Sequence, residues 1–392
     1  MLEFTDRSRP IPDEHYPNRQ DNALVTIQAL RACAAIFVVV SHIASYELTK
    51  KMGISIALPH IEVLGSGVDL FFVISGFVMV YSSDRFFSRS GGAAVFMLRR
   101  IIRIVPLYWT MTSIVLVYLL MTYGSLQAVN LSVGAAVASY LFIPYPQADG
   151  LVVPVHGVGW TLNFEMFFYA CFTAALMARQ RTGILLLSAA LCVLVASRAV
   201  LSLPLPLEYL SNPIALEFAF GMLIGMAMKS GYRLPGWIST VVVVSAAVAI
   251  AFSYRWSHID RAVIWGIPSA AIVATLVLMR QPQRHPLILK GLVLLGDSSY
   301  ALYLVHPIAI TLPRHLFHRV LDPASAPLLY GVLMLGTAIG ASLVVHLAFE
   351  APMTRVLGNA LKARLLRCRT ARPEGLAPIP LKIDRGRNAT WP

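Results

Sequence analysis

The hydrophobic pattern of this chain consists of long apolar runs separated by short polar segments. Ten runs approach the length of about 17 to 25 residues that a helix needs to cross a bilayer: roughly 24–46, 65–83, 104–123, 158–178, 183–203, 213–229, 236–254, 262–279, 292–312 and 328–349. An eleventh run, Leu131 to Ile143, is short and ends at Pro144 and Pro146. The pattern predicts an all-α, polytopic integral membrane protein of about ten transmembrane helices, with 131–143 as a re-entrant or interfacial segment. Residues 1–23 read as a polar N-terminal segment, 24–355 as the membrane domain, and 356–392 as a basic tail whose last twenty or so residues have a disordered composition.

Composition agrees with this reading. The 392 residues are 57% hydrophobic and 13% charged, with a mean hydropathy of +0.69, whereas a soluble domain carries about a quarter charged residues. The net charge of +13 speaks to topology before it speaks to nucleic acid, because the basic residues gather in loops and at the C-terminus. A nucleic-acid partner would call for a basic, aromatic-bearing soluble domain, and no run of the sequence has that character. Cys33, Cys171 and Cys192 lie in apolar segments and Cys368 in the basic tail, so neither a disulfide framework nor a metal spacing emerges. The first twenty residues are polar and proline-bearing, and no cleaved signal peptide is expected.

Charge also orients the chain. With ten spans and a cytoplasmic N-terminus, 24 of the 32 basic residues fall on the cytoplasmic side and six on the other, while Arg31 and Arg198 lie within spans. This is a strong positive-inside bias with both termini cytoplasmic. Treating 131–143 as a span would invert every later loop and remove the bias.

Orientation converts position into depth, at about 1.5 Å per helical residue. Arg31 and His42 interrupt the first apolar run, where an ionisable side chain is expensive and marks a candidate functional site. Eleven residues at about 100° each bring them onto one helix face, about 16 Å apart along the axis, with Arg31 toward the cytoplasm and His42 toward the outer end. Asp69, Glu165 and His306 come from three other spans and, with His42, are expected in one outer layer. Each has a plainer role open to it: Asp69 and Glu165 as helix caps, His306 as a packing residue, Arg31 as a snorkelling one. His346 reads as interfacial. Ser75 and Gly76 suit close helix packing. On the cytoplasmic side Arg99, Arg100 and Arg103 precede Pro106; Arg99 and Arg103, four residues apart, share a face. They can be a topology signal or a guanidinium fork for phosphates.

Taken together, R-x10-H at Arg31 and His42, GVDLFFVISGF at 67–77, RRIIRIVP at 99–106, WTLNFEMFFY at 160–169, GDSSYALYLVHP at 296–307 and FEAP at 349–352 resemble the type 3 family of membrane acyltransferases. EFAFGMLIG at 217–225 further resembles its exopolysaccharide-production branch. The resemblance covers residues 24–355 in order. It implies a ten-helix core that moves an acyl group, usually acetyl, from cytoplasmic acetyl-CoA to a saccharide hydroxyl at the outer face, within membrane lipid and alongside polysaccharide-biosynthesis machinery. It carries the family's functional pair onto Arg31 and His42 and its arginine motif onto Arg99, Arg100 and Arg103. Glu165, Tyr300 and His306 match recurrent positions.

The expected division of labour follows. Arg99, Arg100, Arg103 and Tyr300 bind acyl-CoA, Arg31 lies on its path, and His42 is a general base toward a free or lipid-linked saccharide. Glu165 or Asp69 orients His42 or the sugar, and His306 donates to the oxyanion. Two other classes compete: a proton-coupled transporter using histidine and carboxylates as a relay, disfavoured by the lack of inverted repeats, and a non-catalytic scaffold of a polysaccharide-export machine.

Overall fold

The computed structural model describes residues 19–54, 60–126, 131–147, 149–279, 287–317 and 322–370. The N-terminal eighteen residues and the tail from 371, including the Asn388–Thr390 sequon, lie outside them. Among the described residues the chain is helical throughout: α1 (Arg19–Ser41), α2 (Gly67–Ser82), α3 (Gly92–Tyr123), α4 (Val133–Tyr140), α5 (Trp160–Ala175), α6 (Gln180–Ser197), α7 (Leu205–Leu210), α8 (Leu216–Lys229), α9 (Gly236–Ala251), α10 (Ile267–Leu278), α11 (Leu287–Asp297), α12 (Ser299–Ala309), α13 (Leu312–Phe317), α14 (Pro327–Val345) and α15 (Ala351–Thr370).

Every predicted apolar run holds a helix, but not always of spanning length. Five described helices are long and apolar enough to cross a membrane, or six if α11 and α12 count as one broken span; α5 and α8, at 16 and 14 residues, are shorter. Large apolar side chains such as Val117, Met121, Leu186, Val193, Val241 and Val332 point outward. That surface suits hydrocarbon and not water.

Three boundaries differ from expectation. α3 begins at Gly92, so Arg99, Arg100 and Arg103 ride on the helix itself and Pro106 lies inside it. The 292–312 run is bent by 73° between Asp297 and Ser299. The C-terminal helix continues to Thr370, well into the expected tail. The Leu131–Ile143 run holds only the two-turn α4, capped by the Ser132 hydroxyl, which accepts from the Ala135 N–H at 3.0 Å.

The core is built where α2, α5 and α8 meet. Gly76 of α2 lies against the Phe218 carbonyl, and Gly221 of α8 lies against the Val73 carbonyl, each so close that a Cβ would collide with backbone. Small residues at a crossing let two helices in lipid approach to backbone contact, the source of their packing energy. Around this crossing Phe218 stacks on Phe168 at 4.3 Å and on Phe72 at 4.7 Å.

Among the described residues α-helical winding gives way to π-helix in three places: His42–Lys51, Ala262–Gly266 and His346–Glu350. Such wide turns are rare and cluster at functional sites. One begins at His42, one follows Arg261, and one joins His346 to Glu350.

Candidate active site

α1 gives way to π-helix at His42, toward the end of the span that the charge pattern predicts to be the outer one, and α12 brings His306 to meet it. The Nδ1 of His42 and the Nε2 of His306 are 2.7 Å apart. The rings are nearly coplanar, 20° between planes with centroids 5.0 Å apart, the geometry of an edge-to-edge hydrogen bond. Tautomers follow from the neighbours. His306 Nδ1 lies 3.1 Å from the Leu302 carbonyl, which can only accept, so it carries the proton. A neutral His306 then has a bare Nε2, and His42 donates to it from Nδ1. The Nε2 of His42 is left with its lone pair, the atom a general base needs. Both nitrogens of the fully buried His306 are engaged, so its expected role as an oxyanion donor does not fit. It fits instead as the acceptor that orients His42.

His42 lines a cavity of about 760 Å³ together with Tyr46, Glu47, Lys51, Tyr118, His156 and Trp160. His156, in the loop before α5, donates from Nε2 to the Leu304 carbonyl at 2.9 Å and so ties that loop to α12. Burial pushes its pKa down to about 4, which keeps the ring neutral at physiological pH.

A second, inner cavity has a volume of about 110 Å³. Arg31, Arg100, Arg103, Glu165, Tyr169 and Tyr300 line it. The Arg31 guanidinium donates to Gln28 Oε1 at 3.0 Å, and Gln28 donates in turn to Asp297 at 2.6 Å. Glu165 accepts from the Tyr169 hydroxyl and from Ser75 at 3.3 Å. The Tyr300 hydroxyl donates to the Ile104 carbonyl at 2.7 Å. Arg100 and Arg103 also line a third cavity of about 70 Å³ with Arg85, Arg99 and Lys362. Five cations line that space, and the Nε of the buried Arg100 has no hydrogen-bond partner among the described residues.

The sequence-predicted residues therefore separate into three groups. His42 and His306 meet at the outer cavity. Arg31, Arg100, Arg103, Glu165 and Tyr300 share the inner one, and Arg99 joins Arg100 and Arg103 in the basic one. The single outer layer expected for four residues does not form: Glu165 belongs with Arg31, and Asp69 belongs elsewhere. Fully buried, Asp69 is held by Arg261 in a two-pronged ion pair, with Nη2 to Oδ2 at 2.8 Å and Nε to Oδ1 at 3.1 Å. Neither carboxylate is positioned to orient His42.

Several residues in these sites went unremarked in the sequence. Arg261 counts there only as a loop charge, and Glu217, buried beside Asp69 and Arg261, only as part of a motif. Glu350 accepts from His346 at 2.8 Å and, with Asp297 and Glu165, acts electrostatically on Arg31. Its place in FEAP was the available signal.

With the two histidines, the arginine fork and the cavities in place, comparison with known proteins decides the family. The sequence model described as an acyltransferase domain matches residues 24–347. The chain belongs to the type 3 acyltransferase family. Among curated relatives of this acyltransferase, "Exopolysaccharide production protein ExoZ" of Rhizobium meliloti (strain 1021) is 32% identical over 304 residues, covering 76% of this chain and 91% of the relative. "Acyltransferase MdmB" of Streptomyces mycarofaciens is 26% identical over 396 residues, 91% and 95% of the two chains. No solved structure matches the acyltransferase significantly.

Proposed function

We propose that this acyltransferase is a multi-pass inner-membrane enzyme that moves an acetyl group from cytoplasmic acetyl-CoA to a hydroxyl of an exopolysaccharide or other surface saccharide, or of its lipid-linked precursor. The observation that carries the reading is the His42–His306 hydrogen bond of 2.7 Å at the wall of the outer cavity. The helix that carries His42 also carries Arg31 into the inner cavity. The exopolysaccharide relative supports the acceptor class.

The residues at the basic end fit the donor. Arg85, Arg99, Arg100, Arg103 and Lys362 line one electropositive pocket, suited to a molecule bearing several phosphates. Arg100 and Arg103 belong to both this pocket and the small cavity of Arg31, so a donor held by its phosphates here has its acyl arm beside Arg31. On this reading the acyl arm continues along α1 toward His42.

Chemistry at the outer end needs one proton held and returned. His42 Nε2 takes the proton of the acceptor hydroxyl as its oxygen attacks the thioester carbonyl. The carbon–sulfur bond breaks, and the sulfur leaves with the proton that His42 gives back. While His42 is protonated, its Nδ1–H bond to His306 Nε2 strengthens, because a charged donor makes a better hydrogen bond than a neutral one. General-base assistance of this kind contributes about 10²–10⁴ in rate. Purified protein in nanodiscs, given acetyl-labelled acetyl-CoA and surface polysaccharide from a deletion strain, should transfer label to the polysaccharide. A transporter would transfer none, and a scaffold would retain polymer modification in cells after His42→Ala.

A further inference from the structure

Glu47 stands out among the polar residues of the outer cavity. It lines the same wall as His42 and is only 1% exposed. Lys51 holds its Oε1, whereas Oε2 is buried with no donor. A buried carboxylate oxygen left without a donor is costly, and native structures rarely leave one. In a cavity wall the cost is relieved when a ligand brings an O–H or N–H to it.

The local winding explains how Glu47 comes to this position. In an α-helix, five residues at about 100° each would leave Glu47 some 140° around the axis from His42. From His42 to Lys51 the chain is π-helical, and the wider i to i+5 winding brings residues five apart closer to one face than α-helical winding does. The change of winding at His42 therefore turns Glu47 toward the histidine's own face, one wide turn farther out.

From this geometry we infer that Glu47 is the acceptor-binding carboxylate of the outer cavity, its Oε2 receiving a hydrogen bond from a hydroxyl of a neutral saccharide unit whose neighbouring hydroxyl faces His42. This assignment rests on the acyltransferase reading above. The ligand class follows from the wall. A carboxylate only accepts, so the partner must be a donor. Lys51 already balances its charge, so a neutral donor suits it better than a second cation. Tyr46, Tyr118 and Trp160 line the cavity, offering the aromatic surface on which the apolar face of a sugar ring packs. The volume of about 760 Å³ accommodates more than one sugar residue.

The test compares wild type with Glu47→Gln as full-length protein in nanodiscs. The probe is the mixture of oligosaccharides released from surface polysaccharide of a deletion strain, followed by quenching of tryptophan fluorescence, since Trp160 lines the cavity. Substituting Gln keeps the shape but loses the charge-assisted bond, and Lys51, which is 37% exposed, falls back on solvent. Saccharide binding should weaken about tenfold or more, the acceptor KM should rise by a similar factor, and acetyl-CoA binding should remain at the wild-type value. Equal saccharide binding by both proteins overturns the assignment, as does a wild-type protein that binds no saccharide. Acetyl transfer by the wild type is scored separately: if it is absent while Glu47-dependent binding persists, the enzyme reading fails and the binding site stands. Should Glu47→Gln also weaken acetyl-CoA binding, its role is structural and the proposal falls.

Discussion

His42 and His306 share a 2.7 Å hydrogen bond across 264 residues of sequence. Each ring fixes the other: the Leu302 carbonyl sets the proton on His306, and His306 sets it on His42. In the proposed mechanism His306 orients the histidine base as a carboxylate does in a hydrolase triad, without adding a negative charge beside it.

This relationship predicts a non-additive pair. His42→Ala should lower kcat by about 10²–10⁴, and His306→Ala by a smaller factor of about 10–100, because His42 keeps its lone pair but loses its orientation. The double variant should be no slower than His42→Ala alone, since residues acting as one unit do not add. Steady-state acetyl transfer by the three purified proteins measures this; a multiplicative loss would separate the two roles.

The basic pocket predicts a donor-side defect. Arg103→Ala should raise the KM for acetyl-CoA about tenfold and leave the acceptor KM unchanged. Wild-type affinity should fall with added salt, because phosphate contacts are screened. Arg31→Ala, from the inner cavity beyond, should lower kcat more than it raises KM.

The Asp69–Arg261 pair predicts an asymmetry in stability. Arg261→Ala leaves the fully buried Asp69 carboxylate without its cation. Breaking a buried pair costs about 3–5 kcal/mol, and the low end applies because Arg261 keeps a third of its side chain exposed. Asp69→Asn removes a charge from a carboxylate-rich cluster and should cost less. Thermal unfolding in detergent, ranked wild type above Asp69→Asn above Arg261→Ala, is the expected order.

His156 predicts loss of stability in acid. Its folded pKa of about 4 lies below the ordinary histidine value of 6.5, so the unfolded chain binds the proton more readily between the two. Stability from this group is fully present above about pH 6.5 and declines as pH falls toward 4, by roughly 3 kcal/mol over the window. A His156→Gln protein, whose amide can still donate to Leu304, should show a shallower decline in melting temperature between pH 7 and 5 than the wild type does.

Much of this architecture is legible in the sequence, and the exceptions have physical causes. Arg31, His42 and His306 declare themselves because ionisable groups inside apolar runs are expensive. Gly76 declares itself through the small-residue rule and does lie at the α2–α8 crossing. Depth counted along ideal straight helices fails for Glu165, which shares a cavity with Arg31. It fails for the 292–312 run too, where the chain bends 73° at Ser298. Partners distant in sequence, such as Arg261 for Asp69, leave no periodic trace. Glu47 is hidden for another reason: a 100° period puts it on the wrong face, and only the wider winding after His42 corrects that.

That change of winding gives the two ends of one helix separate histories. Hydrogen bonding along this helix changes register at His42, so a one-residue insertion or deletion just beyond it would rotate the segment up to Lys51 while Arg31 and its surroundings kept their places. Acceptor choice can in this way be re-indexed by a single codon, without touching the half of the protein that handles the donor. A lineage needing many acceptors and one donor would find this seam the cheapest place to diversify.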